Sequence, residues 1–261
     1  MPSTDRTIKL GERTISRVGL GTNRLTNTEE NRSFLAQAVD GGLDFIDTAH
    51  LYTDGASETT IGAALAPFPD DVVVATKAGY RGGGLGRLRT EIEQGFERLR
   101  TEVIDLLYLH RIDPEVPIER SMEVLAELRE AGRVREVGVS EVSVGELERA
   151  RSVLPVAAVQ NEYSLNERQH DDVIEHCEAE GIVFVPFFPL RGVDAAVVGE
   201  VAERRGITAN QVAIAWLLGR SPAMAPIPGT LSIEHLRENL AALDVELEDE
   251  DVEALEGVAA G

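Results

Sequence analysis

The sequence predicts a closed eight-stranded α/β barrel, (β/α)8, in one domain. Three observations carry this: a length of 261 residues, eight short β-branched runs alternating with amphipathic stretches, and no composition shift that would mark a linker. A barrel of eight strand and helix units runs near ~250 residues as one domain. Alternation of strand with helix is the pattern of a parallel sheet built from crossover units. Hydrophobic residues make up 43% of the chain and are spread along it, enough for a sizeable core.

Taken in order, residues 7–15, with Gly11-Glu12 at their centre, read as a hairpin that plugs the barrel bottom. The strands are expected at 18–21, 45–47, 72–77, 104–110, 134–140, 157–161, 182–186 and 223–228. The helical patterns fall at 29–41, 57–65, 88–99, 118–131, 144–150, 167–180, 195–205 and 209–218. In the fourth of these, Val124, Leu125 and Leu128 repeat at helix spacing and give an apolar stripe for the sheet. Two further helices, 233–241 and 249–256, follow the eighth strand, so the barrel carries one or two extra C-terminal helices. The glycine-rich run 81–86 lacks the Lys-Ser/Thr ending of a phosphate loop and reads as a mobile loop at the mouth. Gly19-Leu20-Gly21 begins like a dinucleotide fingerprint, but Arg24 stands where its third glycine belongs.

Asp and Glu total 46 against 25 Lys and Arg, a formal net charge of −21 that argues against nucleic-acid or anionic-membrane partners. Lys9 and Lys77 are the only lysines; the other 23 cations are arginines. With the acidic surface, this skew suggests a salt-adapted (halophile, acidic-proteome) or GC-rich source. Equal stability and activity at low and molar salt would count against the salt-adapted reading. The opening stretch is polar and the longest apolar run, 181–190, is too short to span a bilayer, so a cytoplasmic protein is expected. The single cysteine, Cys177, leaves no intrachain disulfide and reads as a packing residue; His176 and Cys177 have no metal partners at suitable spacing. Trp216, in an apolar helical stretch, reads as core.

In such a barrel, function belongs at the C-terminal ends of the strands. Asp47 ends the second strand, Tyr52 follows five residues later, Lys77 ends the third and His110 ends the fourth. A phenol is a poor acid at neutral pH, with a reference pKa of about 10, and a nearby ammonium stabilises its phenolate. Lys77 supplies that charge, Asp47 holds the ammonium in place, and His110 can donate to a carbonyl oxygen and orient it toward Tyr52. Singly, each has an ordinary role: a helix cap, a packing ring, a solvated charge. Together, on consecutive strands, they aim ionisable groups into one mouth.

The runs Phe45-Ile46-Asp47-Thr48-Ala49-His50-Leu51-Tyr52, Ala75-Thr76-Lys77 and Ile104-Asp105-Leu106-Leu107-Tyr108-Leu109-His110-Arg111 resemble the signature of the aldo-keto reductases. The likeness continues through Gly138-Val139-Ser140, Val159-Gln160-Asn161-Glu162-Tyr163-Ser164 and Pro226-Ile227-Pro228-Gly229-Thr230, covering nearly the whole chain. It implies a TIM-type barrel, NADP(H)-dependent reduction of aldehydes and ketones, and a catalytic tetrad of Asp47, Tyr52, Lys77 and His110 with Tyr52 as proton donor. It also implies a cofactor bed of Gly21, Thr22 and Asp47, with Ser140 and Gln160 at the nicotinamide carboxamide and Phe187 stacked on the nicotinamide. Leu190, Gly192, Gly229 and Thr230 fall near the phosphates, and Glu238 and Asn239 near the adenine.

The pattern departs at three places. Glu141 stands where the family has Asn, and a carboxylate cannot donate to the carboxamide oxygen. Gly229 and His235 stand where Lys and Arg meet the 2′-phosphate; Thr230, Ser232, His235 and Arg237 can serve instead, so NADP(H) is expected ahead of NAD(H). His50 reads either as a substrate contact or as a plain loop residue. The resemblance further implies a small carbonyl substrate; we expect no metal and a monomer. Short loops and a short tail after Asn239 predict an open pocket with loose selectivity. Three other readings stay open: a cofactor-binding sensor with little turnover, a lyase or isomerase using a Lys77 Schiff base, and a sugar or alcohol dehydrogenase working in the oxidative direction.

Overall fold

The computed structural model describes residues 5–258. A two-stranded antiparallel hairpin, β1 (Thr7–Leu10) and β2 (Arg13–Ser16), precedes seven parallel strands that neighbour one another in chain order: β3 (Leu20–Gly21), β4 (Phe45–Asp47), β5 (Val73–Ala78), β6 (Ile104–Leu109), β7 (Val134–Ser140), β8 (Ala158–Gln160) and β9 (Val183–Phe184). Helices α1 (Glu29–Asp40), α2 (Ala56–Leu65), α3 (Gly84–Leu99), α4 (Ile118–Glu130), α5 (Val144–Arg151), α6 (Asp171–Glu180), α7 (Ala196–Arg205) and α8 (Ala209–Arg220) return the chain, and α9 (Ile233–Ala241) and α10 (Asp249–Glu256) close it.

The expected eighth strand, 223–228, forms no continuous ladder. Pro226 and Pro228 have no N–H to give. The segment still closes the ring by single bonds on both sides. Phe184 donates to Ala223 O and Ala225 to Phe184 O at 2.8 Å each, while Gly19 donates to Pro226 O at 3.0 Å and Gly21 to Pro228 O at 3.4 Å. Buried Arg17 pins the approach to this segment by donating to Leu218 O, Ser221 O and Met224 O. The result is a (β/α)8 barrel. The hairpin turns at Gly11, whose φ of +58° suits glycine. Its Leu10 and Ile15 are buried in the cluster of Phe45, Val73, Leu106 and Val183, so the plug is where the sequence placed it.

Two helix starts move by four residues. α3 begins at Gly84, so half of the glycine-rich run expected to be a mobile loop is helix; Gly84 N–H is held by Asp113 Oδ2 at 2.9 Å. α6 begins at Asp171 rather than 167, because Ser164 and Glu167 first pair across a tight turn. Cys177 and Trp216 are core, Trp216 stacked on Tyr163 at 6.0 Å.

Strand parity positions the site. Side chains alternate across a strand, so Phe45, Val73, Ala75, Leu106, Tyr108 and Ala158, which fill the barrel interior, share a face with Asp47, Lys77, His110 and Gln160. Each of these polar residues lies one inward step above an apolar or glycine position. The same step carries Gly138 to Ser140; a Cβ on Gly138 would stand 2.4 Å from the Tyr108 ring.

Candidate active site

At the mouth, Lys77 Nζ donates to Asp47 Oδ1 at 2.5 Å, to Thr48 O at 2.7 Å and to the Tyr52 hydroxyl at 3.3 Å. Both charged side chains of the pair are fully buried. Asp47 Oδ2 accepts from Gln160 Nε2 at 2.8 Å, so the carboxylate is held on both oxygens. A hydroxyl chain backs this floor: Thr22 donates to Asp47 O at 2.8 Å, and Ser57 lies 2.8 Å from the Thr22 hydroxyl and 2.7 Å from that of Thr48. Tyr52 enters a turn in which Thr53, Asp54 and Gly55 all have positive φ. That conformation is costly for a β-branched residue, and the bond from the Thr53 hydroxyl to Leu25 O, at 2.7 Å, fixes it.

Burial disfavours the Lys77 ammonium, but Asp47 and Tyr52 outweigh it and hold its pKa above the ordinary lysine value. Burial raises the Asp47 carboxyl despite Lys77. Tyr52 corrects the sequence expectation: burial raises its pKa more than Lys77 and Arg111 lower it, so the phenol stays protonated. His110 is pushed down to about 2 by burial, with Lys77 and Arg111 adding to the effect, so its imidazole is neutral. Its Nδ1 is buried without a hydrogen-bond partner, and its ring stands 6.2 Å from that of Tyr52 and 4.8 Å from that of Tyr80.

A cavity of 510 Å³ opens over this floor. Of the residues expected at a cofactor, Gly21, Thr22, Asp47, Ser140, Gln160, Phe187, Leu190 and Gly229 line it. Gly192, Thr230, His235, Glu238 and Asn239 do not: Gly192 packs on Asn166, the Thr230 hydroxyl accepts from Ser232 N, Glu238 O accepts from Gln211, and His235 is exposed on α9. Asn239 is buried with its Oδ1 unpartnered. A buried acceptor without a donor is costly, and an adenine amino group would satisfy it. Ser232 caps α9, leaving a helix N-terminus suited to phosphate. These features fit a nicotinamide dinucleotide.

Glu141 has φ +55°, and its Oε1 accepts from Glu162 N at 2.8 Å. His50 lines a smaller adjoining cavity of 190 Å³ with Tyr80 and His110, its Nε2 2.7 Å from Gln94 Oε1. Tyr80, Arg111, Arg24 and Phe188 also stand on the cavity wall without having been expected there, while Arg191 falls in the 190–192 stretch expected near the phosphates. Arg111, directly after His110, had adjacency as a signal.

A (β/α)8 barrel whose C-terminal mouth gathers a tyrosine, a lysine–aspartate pair and a histidine beside a 510 Å³ cleft defines a barrel oxidoreductase. The chain belongs to the aldo/keto reductase family, whose model matches residues 17–193 and 194–260. It is 33% identical to pyridoxine 4-dehydrogenase of Escherichia coli over 98% of this chain and 99% of that protein. It is 34% identical to an uncharacterized oxidoreductase of Schizosaccharomyces pombe, over 94% of this chain and 87% of that one. Among solved structures it resembles an aldo/keto reductase of Klebsiella pneumoniae in complex with NADP and acetate, with TM-score 0.86 and 27% identity over 97% and 94% of the two chains. Among the described residues, no helix is long and apolar enough to cross a membrane.

Proposed function

We propose that this chain reduces aldehydes and ketones to alcohols with NADP(H), Tyr52 acting as the general acid. The observation that carries this reading is the triply bonded Lys77 ammonium, which touches both Asp47 and the Tyr52 hydroxyl at the cavity floor. When bound, the reduced nicotinamide supplies the hydride. Every other part belongs to the chain. Tyr52 and neutral His110 donate to the substrate's carbonyl oxygen, and the Tyr52 proton moves to that oxygen as negative charge develops there. Lys77, 3.3 Å from the phenolic oxygen, stabilises the phenolate left behind. Asp47 and Gln160 fix the ammonium, and Phe187 offers a ring face for stacking. NADP(H) is preferred over NAD(H) because the Klebsiella relative was crystallised with NADP and because Thr230, Ser232, His235 and Arg237 cluster at the start of α9.

The Schiff-base alternative is disfavoured. A lysine whose proton is held by three oxygens has no free lone pair for attack. A second reading is alcohol oxidation by the same site, favoured by the likeness to a protein named pyridoxine 4-dehydrogenase. The test is a screen of NADPH and NADH oxidation, and of NADP reduction, against aldehydes, ketones, dicarbonyls, keto sugars and their alcohols. Steady consumption of NADPH with carbonyls is expected; tight cofactor binding without turnover on any compound would favour the sensor reading instead.

A further inference from the structure

Arginines in this chain are scarce against the 46 acidic residues, and most of them meet a carboxylate. Arg111 does not. It stands half-buried on the wall of the 510 Å³ cavity, with no carboxylate partner among the described residues. Arg24, Arg81, Arg100 and Arg237, which also meet no carboxylate among the described residues, are exposed. Glu162, an acid near Arg111, is already taken by Arg191.

The Arg111 guanidinium is anchored by one nitrogen only. Nη1 donates to His110 O at 2.6 Å and to Ser140 Oγ at 2.9 Å, while Nε and Nη2 have no hydrogen-bond partner among the described residues. Its carbon lies 5.4 Å from the Tyr80 ring centroid and 5.7 Å from that of Phe187, so two aromatic walls hold the fork in place. Tyr80 in turn packs on His110 at 4.8 Å. The arrangement is a pre-oriented pair of N–H donors, one aromatic ring away from the histidine that faces the carbonyl. Such a fork matches the two oxygens of a carboxylate. A neutral nicotinamide carboxamide has no need of a guanidinium charge.

We infer that Arg111 is a specificity determinant that selects carbonyl substrates bearing a carboxylate close to the reacting carbon, such as short oxo acids. The inference rests on the proposed carbonyl reduction and narrows its substrate class. The carboxylate takes the Nε and Nη2 donors while the carbonyl oxygen reaches Tyr52 and His110. No bond is made or broken by Arg111, so it is a binding residue rather than an acid or base.

The test compares kcat/KM at saturating NADPH for matched pairs: an oxo acid and its methyl ester, and a small hydroxyaldehyde with and without a phosphate. It is run on the parent, Arg111→Gln and Arg111→Lys. Charge-assisted hydrogen bonds predict a preference of about ten- to a hundredfold for the acid over its ester in the parent. That ratio should collapse toward one in R111Q and be only partly kept in R111K, which retains the charge but not the fork. A ratio near one in the parent, or an unchanged ratio in R111Q, overturns the inference while leaving carbonyl reduction intact. A preference for the phosphate ester and not the oxo acid would overturn the carboxylate assignment. A parent that reduces neither member of any pair would overturn the proposed function, and this inference with it.

Discussion

Replacing Lys77 by Met should expose how much of the site's stability rests on one ion pair. Asp47 is fully buried, and its carboxyl already stands above its ordinary pKa because burial disfavours the charge, with Lys77 and Gln160 pulling it back. Without Lys77 the fold must keep Asp47 protonated. From a reference value of about 3.9 to pH 7 this is about three units at roughly 1.4 kcal/mol each, a ceiling of about 4 kcal/mol. Breaking a buried pair from one side generally costs about 3–5 kcal/mol. In a domain of this size that lowers Tm by roughly 10 °C. Because the folded carboxyl pKa is raised, the penalty is absent below the unfolded value near ~4 and grows as pH rises. The deficit against the parent should therefore shrink between pH 7 and pH 5. The double variant Lys77→Met/Asp47→Leu, with no buried charge left, should regain most of the lost Tm and stay inactive. Calorimetric scans of parent, single and double variants at both pH values check this. A single variant as stable as the double, or a deficit that ignores pH, would refute the reasoning.

Three other outcomes follow from the geometry. His110, held down to about 2 by burial and neighbouring cations, should show no imidazole titration by NMR between pH 5 and 8; a midpoint near 6.5 would contradict it. Asn239→Leu removes a buried acceptor that the fold leaves unpaired, so Tm of the cofactor-free protein should hold or rise while NADPH affinity falls about tenfold; unchanged affinity in a binding titration would remove Asn239 from the cofactor site. Gly138→Ala places a Cβ 2.4 Å from the Tyr108 ring and 2.9 Å from Ala158 O, overpacking worth about 1–3 kcal/mol or more in a denaturant melt. A neutral effect there would mean that the barrel interior yields more readily than its packing implies.

The barrel, its plug and the four residues of the floor were legible because each rests on a local pattern: strand parity for Asp47, Lys77 and His110, and turn placement for Tyr52. What the pattern hid was long-range. Tyr52 has a neighbouring ammonium, as its spacing suggested, but the sequence gives no measure of burial, which reverses the direction of its shift. The eighth strand is expected over 223–228, yet Pro226 and Pro228 within it reduce its ladder to single bonds, a limit the sequence itself displays. The hydroxyl chain of Thr22, Ser57 and Thr48 joins three elements that nothing in the sequence relates. Arg111 looked like one arginine among 23, and its lack of a carboxylate is visible only when every neighbour is placed.

The most direct test of the site is the Tyr52→Phe variant, read for both cofactor binding and turnover. Removing the hydroxyl takes away the proposed proton donor, 3.3 Å from Lys77, while keeping the ring. NADPH affinity should stay within a few fold of the parent, and kcat for carbonyl reduction should fall by at least ~10² to 10⁴-fold. Carbonyl reduction at the parental rate in this variant would contradict the assignment of Tyr52 as the acid.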